Sequence, residues 1–281
     1  MTPPDTQTRV DTLLYLYAIL PQGTGAGRLF AEGLVPGVEP DQPLFGIDAE
    51  GMTAAVSAVS PNVFAEEPLN GLLQELDRLA PYALRHNDAI KALLSVAPAL
   101  IPMSMGTVYL RAERVAGLLR GRAREFHGLL RDLDGRAEWS LKVYKEPSRL
   151  LKAVETRSPK LQDLRREAEQ SGPGRAYLLR KQQDRLRESE AARLANEILD
   201  GILDSLKSVS SRMQVDTLPP GQAGSPVLSL KSAFLVERAE VGTFQGAVHH
   251  LQELHGAAGF RLEVSGPWPP YSFVGGIRGA A

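Results

Sequence analysis

At 281 residues with 43% apolar content, the chain is long enough to bury a substantial core and falls in the range of about two domains. Its 32 Lys plus Arg balance 33 Asp plus Glu to a formal net charge of −1, which excludes a global field drawing it onto nucleic acid or anionic lipid. No cysteine occurs, so disulfides, thiolate nucleophiles, Cys-ligated zinc and iron–sulfur clusters are excluded, and a reducing, cytoplasmic setting is expected.

The opening segment, residues 1–7, lacks the basic start, apolar run and small-residue cleavage site of a secretory signal, so no export is expected. Residues 13–19 (Leu-Leu-Tyr-Leu-Tyr-Ala-Ile), closed by Pro21 and Gly23, predict a buried strand. A Gly-rich turn and a short helix over 27–32 follow, and strands over 44–48 and 52–59 form a hairpin across Ala49, Glu50 and Gly51. From 69 to 96 the apolar residues recur at helical spacing, with a break or kink expected at Pro81. Residues 92–110 carry no charge, but Pro98, Pro102 and Gly106 interrupt the run, which therefore reads as helix end, turn and buried strand, with no membrane span expected. A strand near Val108 and a basic helix over 111–133 complete an N-terminal α+β domain, residues 1–134.

In the second half, Trp139, Leu141 and Val143 alternate with Glu138, Ser140 and Lys142, the period of a half-buried strand. After a charged stretch, 160–171, a long helix over 175–209 carries Leu194, Ile198, Ile202 and Leu206 every four residues. A strand over 212–216, a flexible loop over 219–226, a strand over 227–236, a helix over 243–255 and a strand over 260–264 follow. This order is that of a ferredoxin-like domain with an enlarged first connection, so the fold class is α+β with a C-terminal ferredoxin-like domain, residues 135–265. Residues 266–281 then form an extended tail: Pro267, Pro269 and Pro270 enforce a polyproline-like path, while Trp268, Tyr271 and Phe273 carry rings that something should cover. Docking of the tail on its own protein is expected, with an anchor for another protein as the alternative.

Candidate chemistry is sparse. The loop Gly23, Thr24, Gly25, Ala26, Gly27 follows a strand and opens a helix, as a phosphate-binding loop does, but Arg28 stands where a dinucleotide fingerprint needs its third glycine. His249, His250 and His255 share a helix at offsets that do not set three imidazoles on one face. Arg85, His86 and Asp88 form a polar knot on an apolar helix, read as a hydrogen-bonded network fixing that helix against a neighbouring loop. Residues 111–133 hold six arginines with acids interspersed, read as a solvated face rather than a nucleic-acid reader. No nucleophile elbow, zinc-binding helix or P-loop occurs, so neither enzyme activity nor a cofactor or metal is expected.

Several segments in order carry a resemblance: 14–19, Arg85-His86-Asn87 with 101–108, Glu138-Trp139 with 140–143, Gly174 to Leu178, Phe234 to Val236, and Gly266 to Phe273. Over nearly its whole length the chain resembles the gas vesicle protein L and F family, departing at Met105, where that family usually has Phe. The resemblance implies a cytoplasmic, non-enzymatic, gas vesicle associated accessory protein with a two-domain structure. It further implies early action in vesicle assembly, binding the small, very apolar shell subunit and other accessory proteins. The contact regions expected for such binding are the long helix at Leu194 and Ile198 and the aromatic tail at Trp268, Tyr271 and Phe273. The alternatives are a nucleotide- or small-molecule-dependent enzyme using the Gly23 to Gly27 loop with Arg85, His86 and Asp88, and an interaction scaffold in an organism making no vesicles.

Overall fold

The structure, a computed structural model, describes residues 12–219 and 226–275. The opening segment and most of the loop expected over 219–226 lie outside the described residues, as do the last six positions of the expected tail. The chain divides into two compact units, one comprising Met1–Ala137 with Pro269–Ala281, the other Glu138–Trp268. The expected domain limits fell at 134/135 and 265/266.

The first unit is built on a five-stranded sheet of β1 (Leu13–Pro21), β2 (Phe45–Ala49), β3 (Met52–Val59), β4 (Ile101–Pro102) and β5 (Val108–Tyr109), ordered β2-β3-β1-β4 with β5 also on β1. β1 is antiparallel to β3, β4 and β5. Tyr15 to Leu20 are all fully buried, which explains a continuous apolar run where a half-covered strand would alternate. A bulge between Leu16 and Ala18 leaves Tyr17 without a Cα partner in β3, and the Tyr17 carbonyl accepts from Met103 N instead. β2 and β3 meet through Glu50 and Gly51, both at positive φ (53° and 68°), the backbone a two-residue hairpin with right-handed strand twist requires.

Helices of this unit are α1 (Ala26–Ala31), α2 (Pro61–Phe64), α3 (Glu66–Gln74), α4 (Leu76–Leu94), α5 (Ala112–Gly121) and α6 (Ala123–Leu133). The helical run expected to break at Pro81 breaks instead at Glu75, whose extended backbone ends α3. Pro81 lies inside α4, which forgoes the one hydrogen bond its missing N–H would have made. The single basic helix expected over 111–133 is two helices parted at Arg122, just after Gly121, a residue that weakens a helix interior.

The second unit carries β6 (Arg136–Lys145, entering from the end of the first unit), α7 (Pro147–Arg157), α8 (Pro159–Glu169), α9 (Pro173–Lys207), β7 (Arg212–Val215), β8 (Val227–Glu237), α10 (Val241–Gly256) and β9 (Phe260–Trp268). Its sheet is ordered β7-β8-β6-β9, with β7 antiparallel to β8 and β6 antiparallel to β9. Trp139, Leu141 and Val143 are buried while Lys142 is exposed, the alternation of a strand covered on one face. The charged stretch before the long helix is itself helical: α7, α8 and α9 each have proline in the first turn, where a missing N–H is not needed. β9 runs further than expected, pairing Trp268 with Glu138, so the first residues of the expected polyproline tail are strand. Tyr271–Phe273 then forms a single 3₁₀ turn, so the extended path expected for the tail is not kept.

Candidate functional site

A densely connected polar cluster lies inside the first unit, where two tyrosines of β1, a histidine of α4 and a tyrosine from the segment after β9 meet. His86 is 3% exposed and bridges Tyr15 and Tyr271: its Nδ1 is 3.0 Å from Tyr15 Oη and its Nε2 3.1 Å from Tyr271 Oη. Tyr15 Oη also accepts from Gly106 N at 3.0 Å. The Tyr17 ring stacks on His86, with centroids 5.8 Å apart, and its hydroxyl accepts from Val38 N at 2.7 Å and bonds Ser57 Oγ at 2.8 Å. Arg85 Nε donates to the Val38 carbonyl at 2.6 Å, and its guanidinium lies over the Tyr82 ring.

These groups satisfy one another in surroundings that penalise any unpaired member. Burial lowers the His86 pKa to about 4, only partly offset by a backbone hydrogen bond at Met103, so the imidazole is neutral near pH 7. Burial likewise pushes Tyr17 up to about 12 and raises Tyr15 and Tyr271. None of the phenols ionises near neutrality. The imidazole and the phenols are thus neutral donors and acceptors near pH 7, and the Arg85 guanidinium at the Val38 carbonyl is the charged member of the cluster.

Of the knot singled out in the sequence, Arg85 and His86 enter this network, whereas Asp88 is exposed and lies 3.7 Å from Lys91. The tail residues divide as well. Tyr271 packs against the apolar cluster that includes Tyr15, Phe64 and Leu93, and Phe273 and Val274 are buried. Trp268, in the second unit, is 43% exposed and donates to Ser265 Oγ. Periodicity around His86 contained no signal for Tyr271, which is 185 residues away.

On α9, Ile198 is buried and Leu194 half-buried, because the covered stripe runs through Ala191, Ala195, Ile198, Ile202 and Leu206. The large apolar side chains this helix leaves open are Tyr177 (58% exposed) and Leu178 (66%), adjacent to one another. A cleft of about 350 Å³ among α7, α8 and α9 is lined by Glu155, Arg165, Glu169 and Arg180, with Arg165 and Glu169 paired along α8 at 3.2 Å.

The glycine loop does not have the geometry of a phosphate cradle. α1 is a six-residue helix, the amides of Gly27 and Arg28 already donate to Thr24 and Gly25 carbonyls, and β1 makes only antiparallel pairings. A Cβ on Gly25 would lie 3.1 Å from Val96 Cβ, so this glycine serves close packing. On α10, His249 faces Glu253 at 3.3 Å, and burial first, then Arg157 and His250, lower the His255 pKa. Among the described residues no three His, Asp or Glu side chains are grouped to hold a metal ion, and no helix is long and apolar enough to cross a membrane.

Two antiparallel sheets, a long helix and a buried tyrosine–histidine cluster define an α+β protein. Residues 13–275 match the family described as Gas vesicle synthesis protein GvpL/GvpF. The chain is 33% identical over 269 residues to gas vesicle protein L of Streptomyces sp. (strain CB03234), covering 94% of each. It is 29% identical over 177 residues to gas vesicle protein F of the same strain, covering 63% of this chain and 70% of that protein. Crystal structures of GvpF from Anabaena sp. PCC7120 and from Microcystis aeruginosa share the fold, with TM-scores of 0.66 and 0.64 at 19% identity. They cover 94% and 93% of this chain and 98% of each of those chains. The chain belongs to the GvpL/GvpF family, and that membership supports a gas vesicle accessory role.

Proposed function

We propose that this protein is a non-enzymatic assembly factor, cytoplasmic and gas vesicle associated, that binds the small apolar shell subunit and other accessory proteins as vesicles nucleate. The observation that carries this reading is the family match running across both units, from residue 13 to 275. We infer too that the second unit is a ferredoxin-like domain. In support, its strands in chain order lie fourth, first, third, second across the sheet, with three helices in the first connection. Neither nucleic acid, membrane nor cofactor has a part in this function.

The contact surface we assign is Tyr177 and Leu178 on α9, in place of the buried Ile198. Two adjacent large apolar side chains left in water are suited to covering the apolar face of a subunit. Co-expression with the shell subunit tests this by affinity capture and light scattering. A soluble, defined complex is expected, with capture reduced at least tenfold by Tyr177→Ser with Leu178→Ser. A shell subunit that aggregates equally with and without this chain, while its full accessory set keeps it soluble, would sink the reading.

A further inference from the structure

The segment 269–275 completes the first unit although the whole of Glu138–Trp268 separates it in sequence from the rest of that unit. It belongs to no strand, and the amides of Tyr271 and Phe273 donate within it, to the carbonyls of Pro269 and Pro270. Side chains help to seat it: the Tyr271 phenol lies on His86, and Phe273 and Val274 are buried to 4% and 5% exposure. Prolines fix the backbone that presents these groups, which lowers the entropy lost on seating. This is how a peptide ligand lies in a groove, with a short preformed backbone and spaced anchors.

The base of the groove is equipped to read a phenol. His86 joins two phenols, Nδ1 to Tyr15 Oη and Nε2 to Tyr271 Oη, and its neutral imidazole donates at one ring nitrogen and accepts at the other, so a phenol, itself donor and acceptor, pairs with it in either tautomer. A phenylalanine at that position would leave a buried imidazole nitrogen without its partner, a loss larger than the missing contact alone.

We propose that the His86 groove is a peptide-binding site for proline-preceded Tyr-x-Phe segments, filled here by the chain's own residues 269–275, and that the same segment of a second copy occupies it in trans. A second copy carries the identical ligand, and residues 269–275 themselves lie outside every ladder, starting directly after the Trp268–Glu138 pair that ends β9. In dilute solution the tethered segment wins by effective concentration; reciprocal exchange at high concentration closes a two-fold dimer.

The test uses the full chain carrying Tyr271→Ala with Phe273→Ala as receptor. A fluorescent synthetic peptide of residues 266–275 stands in for the second copy's tail, read by anisotropy. Saturable binding is expected, at least tenfold tighter than to the unaltered chain, whose groove is full. A peptide with Tyr271→Phe should bind at least about fivefold more weakly, because the buried His86 ring nitrogen loses its partner. A cooperatively melting receptor that takes up no peptide, or equal binding by altered and unaltered chains, would overturn the site. If the double variant does not fold, full-length Tyr271→Phe replaces it and should bind the unmodified peptide more tightly than the unaltered chain does; equal affinity overturns the proposal. Sedimentation of the unaltered chain at high concentration should show a dimer that excess peptide dissolves, and a monomer at every concentration would overturn exchange between copies.

Discussion

In the first unit the central strand β1 is covered on both faces, and its core includes the hydroxyls of Tyr15 and Tyr17, Ser57 Oγ and the His86 ring, each with a hydrogen-bond partner. In the second unit β6 is covered on one face, and its core is a contact of rings: Phe244 lies 5.4 Å from Phe234 and 6.3 Å from Trp139. Buried polar atoms without a hydrogen-bond partner occur in both units among the described residues: Tyr109 Oη in the first, and Trp139 Nε1, Arg187 Nε and Ser232 Oγ in the second. The core around His86 therefore depends on matched donors and acceptors, which specify one arrangement; the ring core around Phe244 depends on apolar area, which tolerates adjustment.

The largest effect should come from the ring contact. Phe244→Ala removes a fully buried aromatic side chain and should cost about 3–5 kcal/mol in denaturant unfolding. A loss near 1 kcal/mol would show that the second core collapses around the gap.

Acid should separate the units next. His86 titrates near 4 in the folded chain against about 6.5 when unfolded, so the unfolded state binds more protons between those values. The stability His86 contributes is complete above about pH 6.5 and falls away as pH drops towards 4, by about 3 kcal/mol. His255 in the second unit is lowered too, with the same sign. The depressed carboxyl of Glu125, held by Arg122, adds its loss only at more acidic pH. Unfolding at pH 7 and pH 5 should therefore differ in the unaltered chain, and His86→Gln should remove most of that difference; an unchanged difference would assign it elsewhere.

Smaller effects sharpen the contrast. Tyr15→Phe deprives both Gly106 N and His86 of a partner and should cost about 1–3 kcal/mol. Ser232→Ala deletes a hydroxyl that pairs with nothing and should be neutral or stabilising by up to about 1 kcal/mol. Both are read from denaturant midpoints at constant slope. Equal destabilisation by the two would erase the distinction between matched and unmatched buried polarity.

Much of the scaffold was legible from local pattern. The apolar run of β1, the alternation of Trp139, Leu141 and Val143, and the Glu50-Gly51 hairpin all appear in the structure, because each is set by side-chain period or by a φ that few residues adopt. α7 and α8 were missed: their apolar positions are few, Leu150 and Val154 in one, Leu161 and Ala168 in the other. The readable signal was the proline opening each helix at 147, 159 and 173. Leu194 was expected on the covered stripe because a strict four-residue step was followed. The helix turns 3.6 residues per cycle, and over several turns the covered face passes to Ala191 and Ala195.

By itself the sequence determined what short-range sterics and hydrophobic period can fix: where strands and helices form, which faces want cover, and which prolines and glycines punctuate them. It also carried the ordered motifs that place the chain in its family. Only the tertiary structure decided that His86 meets Tyr15, 71 residues earlier, and Tyr271, 185 residues later, while Asp88 stays in water. A hydrogen bond needs heavy atoms within about 3 Å and aligned, a condition between distant parts of a chain that local periodicity does not contain.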